Sequence, residues 1–169
     1  MTIKIGDHLP DGVLFESTGY SEETHCPVRP AQVKVADEVK GKRIVIFGLP
    51  GAFTPTCSGK HLPGYLTHHD KLKAKKVDQI WCVAVNDGFV MAAWGRDQNV
   101  DSKIRMLGDG NGDWTKALGL ELDTRAGGMG LRMKRCSILV DDGVVKQVNV
   151  EEPGKFEASS AETMLGQLG

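Results

Sequence analysis

The chain has 169 residues, 40% hydrophobic and 25% charged, with a formal net charge of −1, which is the make-up of one globular domain spanning residues 1–169. The near balance of 21 Lys/Arg against 22 Asp/Glu excludes the basic footprint of a nucleic-acid binder and the polybasic patch of a membrane anchor. No apolar run approaches the roughly 18 residues that span a bilayer, and Met1-Thr-Ile-Lys-Ile lacks the pattern of a secretory signal, so the cytoplasm is the expected compartment.

In chain order, Val13–Phe15 and Gln32–Val35 read as the strands of an N-terminal hairpin, followed by a helical turn over Ala36–Lys40. Arg43–Leu49 is a short apolar run rich in β-branched residues, which predicts a buried strand. Pro50-Gly51 and Thr54-Pro55 punctuate the loop after it. Beyond Cys57, Leu62, Tyr65, Leu66 and Leu72 recur with helical spacing, and Pro63 within that pattern predicts a kink. Gln79–Val85 is a second buried strand. Asn86-Asp87 caps a helix whose predicted apolar face is Phe89, Val90, Ala93 and Trp94. Lys103–Leu107 reads as a third strand, Asp113–Leu118 as a short helix, and Gly127-Gly-Met-Gly130 as a flexible link. Cys136–Val140 and Val144–Val150, joined by Asp141-Asp-Gly143, predict a hairpin, and Ser159-Ser160 with Glu162 caps a last helix. Strands alternating with helices, then a hairpin and a helix, describe an α/β sheet of mixed strand direction.

The chemistry-bearing position is Cys57. It falls at the start of a helix, where free N–H groups and the positive end of the dipole favour an anion, so a thiol there is favoured as its thiolate. None of the four cysteines (Cys26, Cys57, Cys82, Cys136) forms a Cys-x-x-Cys pair or a zinc-like spacing, so free thiols are expected and no metal site. His61 lies four residues after Cys57 and shares its helical face. A Cys–His pair, or a metal site with His68 and His69, is disfavoured by Pro63 and by the lack of nearby acidic ligands.

The string Phe47-Gly-Leu-Pro-Gly-Ala-Phe-Thr-Pro-Thr-Cys-Ser58 with His61-Leu-Pro-Gly-Tyr65 resembles the active-site loop of the peroxiredoxins, type II (type five) subgroup. Val85-Asn-Asp87, Ala93-Trp-Gly-Arg96, Arg132-Met-Lys-Arg135 and Asn149-Val150 resemble the same subgroup in order and spacing. The resemblance implies a thioredoxin-like fold, with a mixed central sheet flanked by helices and an N-terminal hairpin extension. It implies a thiol peroxidase in which Cys57 is the peroxidatic nucleophile, Thr54 its hydroxyl partner and Arg135 the guanidinium beside the thiolate. Pro50 and Phe53 would line the substrate pocket, and Arg96 would orient a loop or join a dimer contact.

Such a reaction leaves Cys57 as a sulfenic acid that a second thiol must reduce, with no metal, flavin or nicotinamide cofactor. Cys82 stands 25 residues on, a spacing seen for a second cysteine in some subgroup members, yet its apolar run predicts burial. Cys136 should point away from Arg135, into the core. The C-terminal region that carries a resolving cysteine in some animal members reads Phe156-Glu-Ala-Ser-Ser160 here. An external reductant is therefore expected, glutathione with or without glutaredoxin rather than thioredoxin, along with a homodimer. The rivals are a general thiol–disulfide oxidoreductase, for which Thr54 stands where the first cysteine of a pair belongs, and a redox sensor or holdase switched by oxidation of Cys57.

Overall fold

The central runs are continuously apolar and successive side chains point to opposite faces, so each strand has two buried faces and the sheet must be covered on both sides. The computed structural model describes residues 1–169. In order they form β1 (Val13–Glu16), β2 (Tyr20–Ser21), β3 (Cys26–Pro27), β4 (Ala31–Lys34), α1 (Val35–Glu38), β5 (Arg43–Gly48), a π turn (Cys57–His61), α2 (Leu62–Thr67), α3 (His69–Ala74) and β6 (Gln79–Ala84). Then follow α4 (Gly88–Asp97), β7 (Arg105–Gly108), α5 (Asp113–Leu118), β8 (Glu121–Asp123), a 3₁₀ turn (Arg125–Gly127), β9 (Leu131–Met133), β10 (Cys136–Asp141), β11 (Val144–Val150) and α6 (Ala161–Gln167).

Seven strands make one sheet in the order β11-β10-β5-β6-β7-β1-β4. The strands β5, β6 and β7 run parallel, and β10 and β1 join them antiparallel. The mixed α/β architecture is the expected one. Its N-terminal hairpin is not an appendage, because Phe15 pairs with Gly108 and extends the sheet beyond β7. A register shift at Leu139/Val140 puts a bulge between β10 and the edge strand β11.

One face buries Val45, Phe47, Ile80 and Cys82 beneath α2, α3, α4 and α6, through Leu62, Tyr65, Leu72, Met91, Trp94 and Met164. The other buries Ile44, Ile46, Trp81, Val83 and Cys136 beneath α1 and α5, through Val35, Trp114 and Leu118. Emptying one such position, Phe47→Ala, would cost about 3–5 kcal/mol.

The structure departs from the sequence expectations in three places. The core-facing side of α4 is Met91, Trp94 and Gly95, whereas Phe89 is exposed. Gly95 allows that approach, since a Cβ there would stand 2.8 Å from Met106 Cγ. The glycine stretch 127–130 is the bend of a small hairpin, β8 with β9, rather than a free link. Before Pro63, where a kink was expected, the chain forms a π turn. The turn widens, and the Leu62 N–H donates to the Cys57 carbonyl five residues back. A proline ring crowds the carbonyl four residues earlier, and one extra residue in the turn relieves that contact.

Candidate active site

The site is assembled at the C-terminal end of β5, where the parallel strands hand over to loops and helices. The Leu49 N–H still follows the sheet register and donates to the Val83 carbonyl. The loop then turns, and the Ala52 N–H donates to Asn86 Oδ1 at 3.0 Å. Phe53 takes a left-handed conformation (φ 61°) with its ring largely in solvent, a backbone state that costs an L-residue about 1–2 kcal/mol. Thr54 Oγ1 donates to the Gly51 carbonyl at 2.7 Å, and the Thr54 carbonyl receives the Ser58 N–H. Helical structure therefore starts at Pro55, whose missing N–H is one the first turn leaves unpaired anyway, and Cys57 enters the π turn directly.

The Cys57 side chain is fully buried in the face of the core that carries α2 and α4. Arg135, in the bend before β10, points its Nη2 at Cys57 Sγ, 3.2 Å away. Its Nη1 donates to His61 Nδ1 at 3.0 Å, and its guanidinium lies 5.9 Å from the Phe156 ring. Across the imidazole, His61 Nε2 meets the Ser159 carbonyl at 3.1 Å. A carbonyl only accepts and a guanidinium only donates, so both contacts are satisfied by one form, the neutral ring protonated on Nε2. Burial, and then the Arg135 charge, push the His61 imidazole down to about 3.

The Ser159 carbonyl also accepts from Tyr65 Oη at 2.9 Å. Its segment is fixed by Glu151, whose carboxylate accepts from the N–H groups of Glu157, Ala158 and Ser159 and from the Ser159 hydroxyl. Burial acts to raise the Glu151 carboxyl, but the Ser159 hydroxyl and these N–H groups outweigh it and hold it below its ordinary value. The Glu151 N–H in turn donates to the Arg135 carbonyl.

A small pocket of about 120 Å³ opens beside the site, with Pro50, Thr56, Lys134, Arg135, Glu151 and Glu152 among its walls. Arg132 anchors that rim, its Nη1 donating to the Pro50 carbonyl at 3.3 Å. Pro50 and Arg135 thus stand where a pocket wall was expected. Phe53 does not line this pocket, because its left-handed backbone turns the ring outward. Thr54 shares the loop with Cys57, but its hydroxyl is committed to Gly51.

Arg96 lies outside the cluster. Its guanidinium stacks 3.4 Å over the Tyr20 ring and sits 3.9 Å from a Glu22 oxygen, beside a separate groove of about 680 Å³. Cys82 is buried mid-strand in β6, where burial, then nearby Cys57, push its thiol well above the ordinary range. Cys136 is buried on the opposite face, pushed up to about 12 by burial. Cys26 is exposed. His68 and His69 pair with Glu162 and Asp70, and no group of three or more His, Cys, Asp or Glu is placed to hold a metal. The roles of Glu151 and Ser159 carry no sequence signal. That of His61 carries one, its four-residue offset from Cys57.

Residues 4–165 match the Redoxin family. The chain is 46% identical over 169 residues to the chloroplastic peroxiredoxin-2E of Arabidopsis thaliana, covering 99% of this chain and 70% of that one. It is 45% identical to peroxiredoxin-2C of Oryza sativa subsp. japonica, with 98% of each covered. The crystal structure of reduced Prx3 from Vibrio vulnificus in complex with H2O2 superposes with a TM-score of 0.89 at 48% identity, covering 99% of this chain and 100% of that one. The family match, these identities and the shared fold place the chain in the redoxin family and within it among the peroxiredoxins, antioxidant thiol peroxidases of thioredoxin-like fold.

Proposed function

We propose that Cys57 is the nucleophile of this peroxidase and that hydrogen peroxide and alkyl hydroperoxides are its substrates. The observation that carries the reading is the hydrogen bond from Arg135 Nη2 to Cys57 Sγ. A guanidinium and a helix start on one sulfur favour the thiolate, which is the reactive form. The thiolate attacks one peroxide oxygen. The S–O bond forms as the O–O bond breaks, and the departing oxygen takes up a proton from solvent and leaves as water or an alcohol. Arg135 sits where it can stabilise the charge on that oxygen. Thr54, with its own proton committed to Gly51, keeps lone pairs with which to accept from the peroxide hydroxyl. Pro50 walls the pocket, and the peroxide complex of the Vibrio relative supports hydrogen peroxide as substrate.

The sulfenic acid is reduced by an external thiol. Its sulfur attacks Cys57, forming S–S as S–O breaks and releasing water. A second thiol then displaces the mixed disulfide and restores Cys57. Glutathione, alone or through glutaredoxin, is the reductant this chain favours over thioredoxin, because Cys82 and Cys136 are buried thiols in paired strands. The exposed rings of Phe53 and Phe89 support a homodimer contact. Arg96, stacked on Tyr20, supports the chain before β3 rather than the chemistry. Free thiols of this kind suit the cytoplasm.

Intact mass after one equivalent of hydrogen peroxide, with and without glutathione, tests the reading. One oxygen gained at Cys57, replaced by a glutathione adduct when glutathione is present, is expected. A loss of two hydrogens that requires Cys82 would replace the external cycle with an internal disulfide. No fast change at Cys57 would overturn the assignment.

A further inference from the structure

We propose that His61 is a positioning residue that aims Arg135 at Cys57, and that the segment 157–159, held by Glu151, sets its orientation. The inference rests on the reading of Cys57 and Arg135 given above and goes beyond it by naming what holds the guanidinium in place.

An arginine side chain has many rotamers, and one hydrogen bond to sulfur does not select among them. Here the planar fork is fixed at two points. Nη1 is held by His61 Nδ1 and Nη2 is left directed at Sγ. The acceptor chosen for Nη1 matters. A carboxylate there would bind more tightly, but it would pull the guanidinium toward itself and weaken its field at the sulfur. A neutral imidazole nitrogen holds the fork and leaves the whole positive charge for the thiolate.

The ring keeps that role only while its proton stays on Nε2, because a proton on Nδ1 would face the guanidinium. The Ser159 carbonyl fixes the tautomer by accepting from Nε2. That carbonyl is in turn placed by Glu151, whose carboxylate gathers three backbone N–H groups and one hydroxyl from residues 157–159. Tilted aromatic contacts add to this, with the Phe47 and Phe156 ring centroids 5.0 and 5.1 Å from that of His61. The π turn contributes the geometry, since Cys57 opens it and His61 closes it. A chain of contacts therefore runs from the C-terminal segment, through one neutral histidine, to the reactive sulfur.

The test uses full-length His61→Leu, His61→Asn and Tyr65→Phe, with Arg135→Ala and wild type as references. Two quantities are read: the thiolate ultraviolet absorbance of Cys57 against pH, and the second-order rate of Cys57 oxidation by hydrogen peroxide. His61→Leu should move the thiolate titration to higher pH by about one unit and slow oxidation by roughly tenfold, in the direction of Arg135→Ala. His61→Asn, whose side-chain oxygen can stand near the Nδ1 position, should recover most of both. Tyr65→Phe removes the other donor to the Ser159 carbonyl but not the His61–Arg135 contact, so it should lower stability without moving the titration. An unmoved titration in a folded His61→Leu, an equal shift in Tyr65→Phe, or no recovery by His61→Asn would overturn the inference. If wild-type Cys57 fails to react with peroxide, the proposed function falls, and the titration still decides what His61 does for the thiolate.

Discussion

Cys57 and Cys136 are both completely buried thiols, on opposite faces of the same sheet, and almost everything else about them differs. Cys136 sits among Gly48, Met133 and neighbouring strand residues, where burial outweighs a backbone hydrogen bond from Gly48 and the more distant Arg135 charge and pushes its thiol up to about 12. Cys57 is just as dry, but it opens a helical turn and receives an N–H from Arg135. Arg135 and Cys136 are adjacent in sequence, yet the bend at Arg135 and the start of β10 at Cys136 send the guanidinium to one face and the thiol to the other. Burial by itself makes a cysteine inert, whereas a fixed positive charge beside a buried sulfur favours the thiolate that the proposed function requires, because the same low dielectric that penalises a lone thiolate strengthens its pairing.

Removing each thiol is the most severe test of that contrast. Cys57→Ser should reduce peroxide consumption by at least ~1000-fold, while Cys136→Ser should leave the rate within about twofold, both read by stopped-flow competition for peroxide. Next in size is the charge. Arg135→Ala should slow Cys57 oxidation by roughly 100- to 1000-fold, and Arg135→Lys should recover only part, since a point charge cannot hold the His61 and Cys57 contacts as a planar fork does.

A third prediction concerns acid stability. The unfolded chain protonates His61 near 6.5 and the folded chain resists until about 3, so the unfolded state binds the extra proton between those values. Stability should therefore fall as pH drops from about 6.5 toward 3, by up to ~1.4 kcal/mol per pH unit from this group. Glu151, held below its ordinary 4.5, joins only at lower pH and acts in the same direction. Urea unfolding at a series of pH values should show the slope above about pH 4.5 flattened in His61→Leu. The smallest effect is expected on the other face, where Cys136→Ser buries a hydroxyl among apolar neighbours and should cost about 1–3 kcal/mol by the same unfolding measurement, with the peroxide rate unchanged.

The placement of Cys57 at a helix start was legible in the sequence because its cause is local. A β-branched run, the punctuation of Pro50-Gly51 and Thr54-Pro55 and a helical period indicate that start without any knowledge of the rest of the chain. Arg135, 78 residues away, could be joined to Cys57 only through the resemblance, since nothing in its neighbourhood says what it will meet. Glu151 and Ser159 were illegible, because a carboxylate gathering backbone N–H groups has no period or motif. The apolar face of α4 was misread for a different reason. Phe89 is a large apolar residue at that helical spacing, but the close approach to Met106 goes through Gly95, which has no hydropathy signal at all.

The sheet edges bear on how this protein can associate. An open strand is a template for another chain, and β11, seven residues long, is the longest candidate here. Its first residue is already bridged to His8, Lys146 places a charge along it, and the bulge opposite Leu139/Val140 twists it away from flatness. Near its end, the Asn149 and Gln167 amides exchange hydrogen bonds and lay α6 against the strand. At the other edge β4 is only four residues long and runs straight into a helical turn at Val35. Continuous ribbons and strand-swapped fibres are thus discouraged at both ends of the sheet, which leaves side-chain surfaces such as those around Phe53 and Phe89 to govern any self-assembly.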